Sequence, residues 1–484
     1  MPRAGIQHEV GVGSRVSSSR GPRATRARPA VPEDEAAWDT ALATWLAPFV
    51  EVVGDPRRKP WLPIYVRGLL SPSERKSLTP LATHLATYDR TATQTHYHNL
   101  QQFITYSAWD VAPLLRLLAQ RADAMLGGPD AVLIVDDTAL RKQGTHSVGV
   151  AHQYCGEVGK LANCQTLVSL TLAKAEVPLP LALRLYLPPE WTDNPDRCAA
   201  AGVPDALRLP QSKIAIALAE VARVRESGVR FGLVTADAAY GTSAAFRRGI
   251  SAGGVRYAVG VQSHARVYPV EATQVYPPRP THARQPGSRL GTTPYPLGRV
   301  RVRPVASEPS HTVAELLRGA AWRRVCWRAG TKGALQGRWT ALRVRVADGE
   351  AGAKGEHMPG ELVWLVGEQL PDGRRRYYFT NHPTHTPLRQ LVAAIRSRWV
   401  CEQAHLQLKQ ELGLDHFEGR SWRGLEHHTT LTMVSFAFLQ HLRLQHPRSR
   451  KKNPARPAAV TVTPAGPACP HCHTVLRDAD LSPL

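Results

Sequence analysis

Two runs of apolar residues that end on carboxylates constrain this chain more than any other feature. "AVLIVDDT", from Ala131 to Thr138, and "GLVTAD", from Gly232 to Asp237, are apolar at successive positions until the acid arrives. A strand that is greasy on both faces belongs to a sheet covered on both sides. Acids at its C-terminal end then lie on the rim, where such sheets bind ligands. Successive side chains on a strand point to opposite faces, so only one of Asp136 and Asp137 can face a given site.

The neighbouring pattern extends the sheet. "CQTLVSLTLAKA" and "LPLALRLYLP" read as two more strands, and "QSKIAIALAEVARVRESG" as an amphipathic helix with Ile214, Leu218 and Val221 on one face and Gly228 as its stop. "VRYAVGV" follows as a strand after a further helical piece. The order β-β-β-α-β-α-β predicts an α/β fold, a mixed sheet with flanking helices. Residues 34–126 read as a small helical domain, with Trp38, Leu42, Trp45, Leu46 and Phe49 at helical spacing, and residues 127–263 as the first part of the sheet core. Residues 264–384, rich in Pro, Gly and Arg and carrying the strand candidates "RWTALRVRVA", "ELVWLVGEQL" and "RRYYFTN", read as a β-rich insertion.

Residues 385–446 return to the core. They open with one long helix, capped by Thr386 with Pro387 in its first turn and ending at Gly413, and continue as an almost wholly apolar helix from about Leu425 to Leu444. Residues 1–33 read as a disordered basic arm and 447–484 as a disordered Pro-rich basic tail.

Charge narrows the partner. The 61 Lys and Arg residues against 39 Asp and Glu, a formal net charge of +22, favour a polyanion, because neutralised phosphates release counterions. The seven cysteines are odd in number and scattered, which fits a reducing cytoplasm. The N-terminus has no apolar leader core, and the greasiest stretch, "LTMVSFAFLQHLRL", is broken by Gln440, His441 and Arg443, so no membrane span is expected.

A third acid comes from helix geometry. At roughly 100° per residue, Ile395, Arg398, Glu402 and Lys409 fall within about 40° of one another, in a sector that includes Leu391. Glu402 therefore borders an apolar face, where its carboxylate needs a compensating cation. An ordinary i,i+4 pair with Arg398 is the simplest source of one. Three acids from two strand ends and one helix also make a set of hard oxygen donors suited to Mg²⁺ or Mn²⁺. Two such ions about 4 Å apart can drive an in-line phosphodiester displacement.

These residues resemble a DDE transposase of a bacterial insertion sequence, a group with a Tyr-x2-Arg-x3-Glu-x6-Lys signature that falls here on Ile395, Arg398, Glu402 and Lys409. "VDDTALRKQGTHSVGVAHQYCGEVGKLANCQ", "RLYLPPEWTDNPDR", "TADAAYG" and "KQELGLDHFEGRSWRGLEHH" resemble one branch of that group, and the likeness covers most of residues 60–445. The resemblance implies a ribonuclease-H-like core with two Mg²⁺ or Mn²⁺ ions held by Asp137, which precedes Thr138, with Asp237 and Glu402. It further implies DNA phosphate contacts from Arg398 and Lys409, double-stranded DNA as element end and target, and a homodimer in the DNA complex. The helical domain would help to bind the ends, although no helix-turn-helix is legible in it. Ile395 departs from the signature's aromatic. A nuclease or resolvase with the same core, or a non-catalytic DNA-binding derivative, would share most of these features.

Other motifs read more plainly. "GEVGKL" fails as a P-loop, since Tyr154 and Leu161 stand where a Gly and a Ser or Thr are required. Trp322, Trp327 and Trp339 read as core of the β-rich region, and His146, His152, His427 and His428 as surface or hydrogen-bonded side chains. Cys469 and Cys472 form a lone CxxC without a second pair.

Overall fold

The computed structural model describes residues 35–89, 93–277, 303–330, 333–352 and 355–445. The basic arm, the terminal tail and Cys469 and Cys472 lie outside these residues. The fold is α/β, with a twelve-stranded mixed sheet, flanking helices and a helical N-terminal region. The first six strands are β1 (Val132–Arg141), β2 (Ala151–Cys155), β3 (Lys160–Lys174), β4 (Val177–Tyr186), β5 (Leu233–Ala236) and β6 (Arg256–Val261). β1 lies between antiparallel β3 and parallel β5, and β5 continues in parallel to β6. The short β2, which the apolar pattern did not mark, shares the outer edge of β3 with β4.

The β-rich stretch expected as an insertion does not stand apart. Strand Arg375–Thr380 pairs with β6, and strands His357–Gln369 and Gly333–Ala351 follow it edge to edge, so the core sheet simply continues. Trp339 is fully buried there, with Trp327 meeting it edge-on at 6.0 Å. The Arg396 guanidinium covers both rings, and Arg375 covers Trp322, so these tryptophans pack as core and as shielded rims.

The two faces of β1 have different cover. Leu133 and Val135 join the main core with Ala217, Val221 and Val224 of the Lys213–Glu226 helix. Ile134 packs instead against Val400 and Cys401. Those two residues belong to helix Trp399–Gln410, which follows helix Leu388–Arg396. The single long helix expected from Thr386 is thus divided. Its first segment begins at Leu388 with no side-chain cap bond, and the ladder tightens at Ser397 and Arg398, where Cys401 N–H reaches Arg398 O at 3.0 Å. The second segment stops as expected: Gly413 has φ +65° and donates to Lys409 O.

Helix Trp422–Gln445 binds the two layers together. It is buried on all sides from Leu425 to Gln440 save for the half-buried Glu426, and packs between β4 and the N-terminal helices. Phe438 meets Trp38 edge-on at 5.7 Å. His427 stacks on Trp109 at 3.6 Å with ring nitrogens near Ile104 O and Trp109 O, and His428 Nδ1 meets the Tyr65 hydroxyl at 2.8 Å, so both histidines are structural. Beneath them, Arg184 on β4 pairs with Glu220 and Glu426, joining three elements at one guanidinium. No helix among the described residues is long and apolar enough to cross a membrane.

Phe438→Ala should cost about 3–5 kcal/mol, the usual price of truncating a buried aromatic. A lower denaturant midpoint with unchanged far-UV ellipticity would bear this out. An unchanged midpoint would mean that this helix does not couple the helical region to the sheet.

Candidate active site

The pleat of β1 decides which aspartate meets the Glu402 helix. Val132, Ile134 and Asp136 share the face covered by helices Leu388–Arg396 and Trp399–Gln410. Asp136 Oδ2 accepts a hydrogen bond from Arg398 at 2.5 Å, and the same guanidinium pairs with Glu402. The register sets Val135 beside Ala236, so Asp237, one step beyond, lies next to Asp136. Asp136, Asp237, Arg398 and Glu402 therefore gather where β5 ends beside the middle of β1, which runs on past the acids to Arg141 rather than stopping at them as expected.

Asp137 is not among them. Its side chain points to the opposite face, where Oδ2 pairs with Lys213 at 2.6 Å and Oδ1 accepts from the Tyr240 hydroxyl at 2.5 Å. Asp137 was expected to share a site with Glu402; here Asp136 is the one that faces the Glu402 helix, because adjacent residues of a pleated strand point to opposite faces. Lys213 and Tyr240 were not singled out in the sequence. Tyr240 stands three residues after Asp237, a spacing that places it on the turn Asp237 caps, whereas nothing local foretells the Lys213 contact.

Each acid is held by its own element. Asp237 caps the short helix Ala238–Gly241, with Oδ1 accepting from the Ala239 and Tyr240 N–H groups. Gly241 presses on β6 so closely that a Cβ there would strike the Gly260 carbonyl oxygen, which fixes the turn against the sheet. Asp136 Oδ1 accepts from the Asp137 N–H at 2.9 Å. Behind it, Ser169 on β3 donates to the Asp136 carbonyl at 3.0 Å, which commits the hydroxyl's one proton. His405 Nε2, 2.8 Å from that hydroxyl, must then be the donor to it. Burial pulls the His405 pKa down to about 3, so a neutral imidazole makes this contact.

The electrostatics of the cluster are unbalanced. Burial pushes Asp136 up to about 7, with the Asp237 charge adding to the shift, although Arg398 pulls against it. Burial also works against the Arg398 charge, but Asp136, Glu402 and Asp237 together outweigh it and raise that pKa. Arg398 thus occupies the place of a shared cation between two carboxylates. Glu402 is more open, with 57% of its side chain exposed, and Lys409 lies further along the helix, paired with Glu157 at 2.9 Å. Ile395 is buried against Leu233, Ala258 and Trp339 and takes no part in the site.

Among the described residues no three His, Cys, Asp or Glu side chains converge as a ready metal cage. The donor set nevertheless fits a hard divalent cation. It offers carboxylate oxygens only, and Asp136, penalised by burial and by Asp237, lacks positive charge even with Arg398 in place.

A family model described as DDE superfamily endonuclease matches residues 48–334, more than half of the chain. The matched stretch contains Asp136, Asp137 and Asp237 and stops before Glu402. A probable transposase for insertion sequence element IS701 from Microchaete diplosiphon is 27% identical over 176 residues. Those residues are 36% of this chain and span 41% of the length of that relative.

The raised Asp136 pKa has a direct consequence for stability. Between the unfolded carboxyl value near 4 and the folded value of about 7, the native state binds the extra proton, so this group's contribution to stability falls as pH rises through that window. In chelator-treated protein, Asp136→Asn should therefore raise the thermal midpoint more at pH 8 than at pH 5. An equal effect at both values would show that the carboxyl is not held against its charge.

Proposed function

The chain belongs to the DDE superfamily of endonucleases, and on that premise we propose that it is the transposase of a bacterial insertion sequence, acting on double-stranded DNA in the cytoplasm. It cuts one strand at the element's end and joins the freed 3′-hydroxyl to target DNA. The observation that carries this reading is the meeting of Asp136, Arg398 and Glu402 beside Asp237, where β5 ends against the middle of β1. The net charge of +22 supports a polyanionic substrate.

Asp136, Asp237 and Glu402 are assigned as ligands of divalent cations, two Mg²⁺ or Mn²⁺ ions, with Asp136 in the role first expected of Asp137. Bound among these oxygens, such ions supply the charge that activates an attacking hydroxyl and stabilises a leaving oxygen. In the cut, a water oxygen bonds to phosphorus as the bond to the 3′-oxygen breaks, and that oxygen leaves as the 3′-hydroxyl. In the joining step the 3′-hydroxyl oxygen attacks a target phosphorus and releases the target's own 3′-oxygen. Arg398, freed from the carboxylates once their charge is met, turns its planar donors to a phosphate beside the cut. Lys409 exchanges Glu157 for a second phosphate. Asp137, Lys213 and Tyr240 brace the strand from behind. Two chains, one for each element end, would make the DNA complex a homodimer.

The test is incubation of the full chain and Mg²⁺ or Mn²⁺ with a linear DNA carrying an element end and a supercoiled target plasmid. Joined products support a transposase, and cleavage without joining supports a nuclease of the same core. Asp136→Asn, Asp237→Asn and Glu402→Gln should each lower cleavage by more than about 100-fold, while Asp137→Asn should lower it by less than about tenfold. The reverse order for Asp136 and Asp137 would overturn the assignment.

A further inference from the structure

A wide cleft among the described residues is lined by none of Asp136, Asp237 and Glu402. It measures about 1150 Å³ and opens between the N-terminal helical region, the loop after β1, the segment around Trp191 and Arg197, and the loop Phe417–Ser421. These segments are tied to one another. Arg197 donates to Thr145 O at 2.6 Å, Val148 N–H to Arg420 O at 3.0 Å, Trp422 N–H to Ala201 O at 2.8 Å and Arg423 to Tyr106 O at 3.2 Å. The cleft is thus a built feature, shaped before any ligand arrives.

Its chemistry is cationic and aromatic. The half-buried Arg197 guanidinium lies over the buried Trp191 ring, 3.9 Å from its centroid, and donates to the Glu190 and Thr145 carbonyls, which orients its remaining N–H groups. Arg420 is exposed, and neither arginine is paired with a carboxylate among the described residues. The acid of the lining, Glu418, is already neutralised by Arg75 at 2.8 Å. Lys76 sits beneath, buried, held by the Ser71 carbonyl. At the rim, a π-helical turn, Gln102–Tyr106, leaves the Tyr106 ring 58% exposed. Arginines without a carboxylate partner, beside an open aromatic ring, suit the phosphates and sugar edge of a duplex.

The cleft is also in line with the acids. Lys142, one residue beyond β1, donates to the Phe417 carbonyl at 2.6 Å. Six residues of extended strand separate it from Asp136, about 20 Å at strand rise.

From this we propose that the cleft is a second DNA subsite, in which Arg197 and Arg420 grip the duplex backbone away from the scissile phosphate, with Tyr106 against its sugar edge. The proposal rests on the reading of the chain as a DNA-cutting enzyme. It assigns to "THS", "EWTDNPDR" and "FEGRS" one shared surface, although they are far apart in the sequence.

The experiment is fluorescence anisotropy of the full chain with a labelled mixed-sequence duplex over a range of salt, alongside the cleavage assay. Arg197→Gln and Arg420→Gln should each weaken binding about tenfold and reduce the slope of log affinity against log salt by about one, and Tyr106→Ala should weaken it without changing the slope. Arg420→Glu, at an exposed side chain, keeps the test valid should Arg197→Gln disturb the fold, and should weaken binding further. Asp136→Asn should bind as the parent does while failing to cut. Parent protein that binds and cuts, with cleft variants of unchanged affinity and slope, overturns the cleft and leaves the enzyme standing. Parent protein that neither binds nor cuts overturns both.

Discussion

Adjacent side chains on an extended strand cannot share a face, and the site is organised around that restriction. Asp136 and Asp137 are consecutive, yet one belongs to the helix bearing Glu402 and the other to the helix beginning at Lys213. Each carboxylate finds its own cation, and the strand is held from both sides at once. The parallel pairing of β1 and β5 then brings Asp237 level with Asp136 without any long side chain having to reach. Two of the acids are placed by backbone geometry alone, and only Glu402 depends on how a helix is docked.

That docking explains the electrostatic state of the cluster. A carboxylate taken from water loses hydration that one guanidinium does not fully restore. Asp136 accordingly stays above the usual carboxylate range although it touches Arg398. Strongly perturbed groups of this kind concentrate where chemistry occurs, since a fold selected for stability alone would place an apolar residue there. The contrast with Arg184, Glu220 and Glu426 is instructive. There Arg184 meets Glu220 and Glu426 while Arg223 adds a second cation to Glu220, and the result is a fastening between layers.

Much of this was legible in the residues. The apolar runs located β1, β3, β4, β5 and β6, and the helical sector singled out Arg398 and Glu402 as neighbours. Which of Asp136 and Asp137 meets the Glu402 helix was not legible, because it depends on which face a helix some 260 residues later comes to cover. The break at Ser397 and Arg398 escaped notice because both residues keep right-handed helical backbone, so no proline or glycine marks it. The strands of the later β-rich stretch were visible, but their partner was not: pairing of Arg375–Thr380 with β6 is a long-range event with no local trace. Ile395, a departure from the signature in sequence, is in place a core residue.

The helix from Trp422 to Gln445 carries a further implication for heredity. Its side chains fill the seam between the helical region and the sheet, so both layers rely on residues translated after them. A gene interrupted before that point would leave two open apolar surfaces rather than a smaller working protein. Shortened copies would then be cleared or precipitate instead of persisting as fragments that occupy the same DNA, and damage late in the gene would silence it as completely as damage at its start.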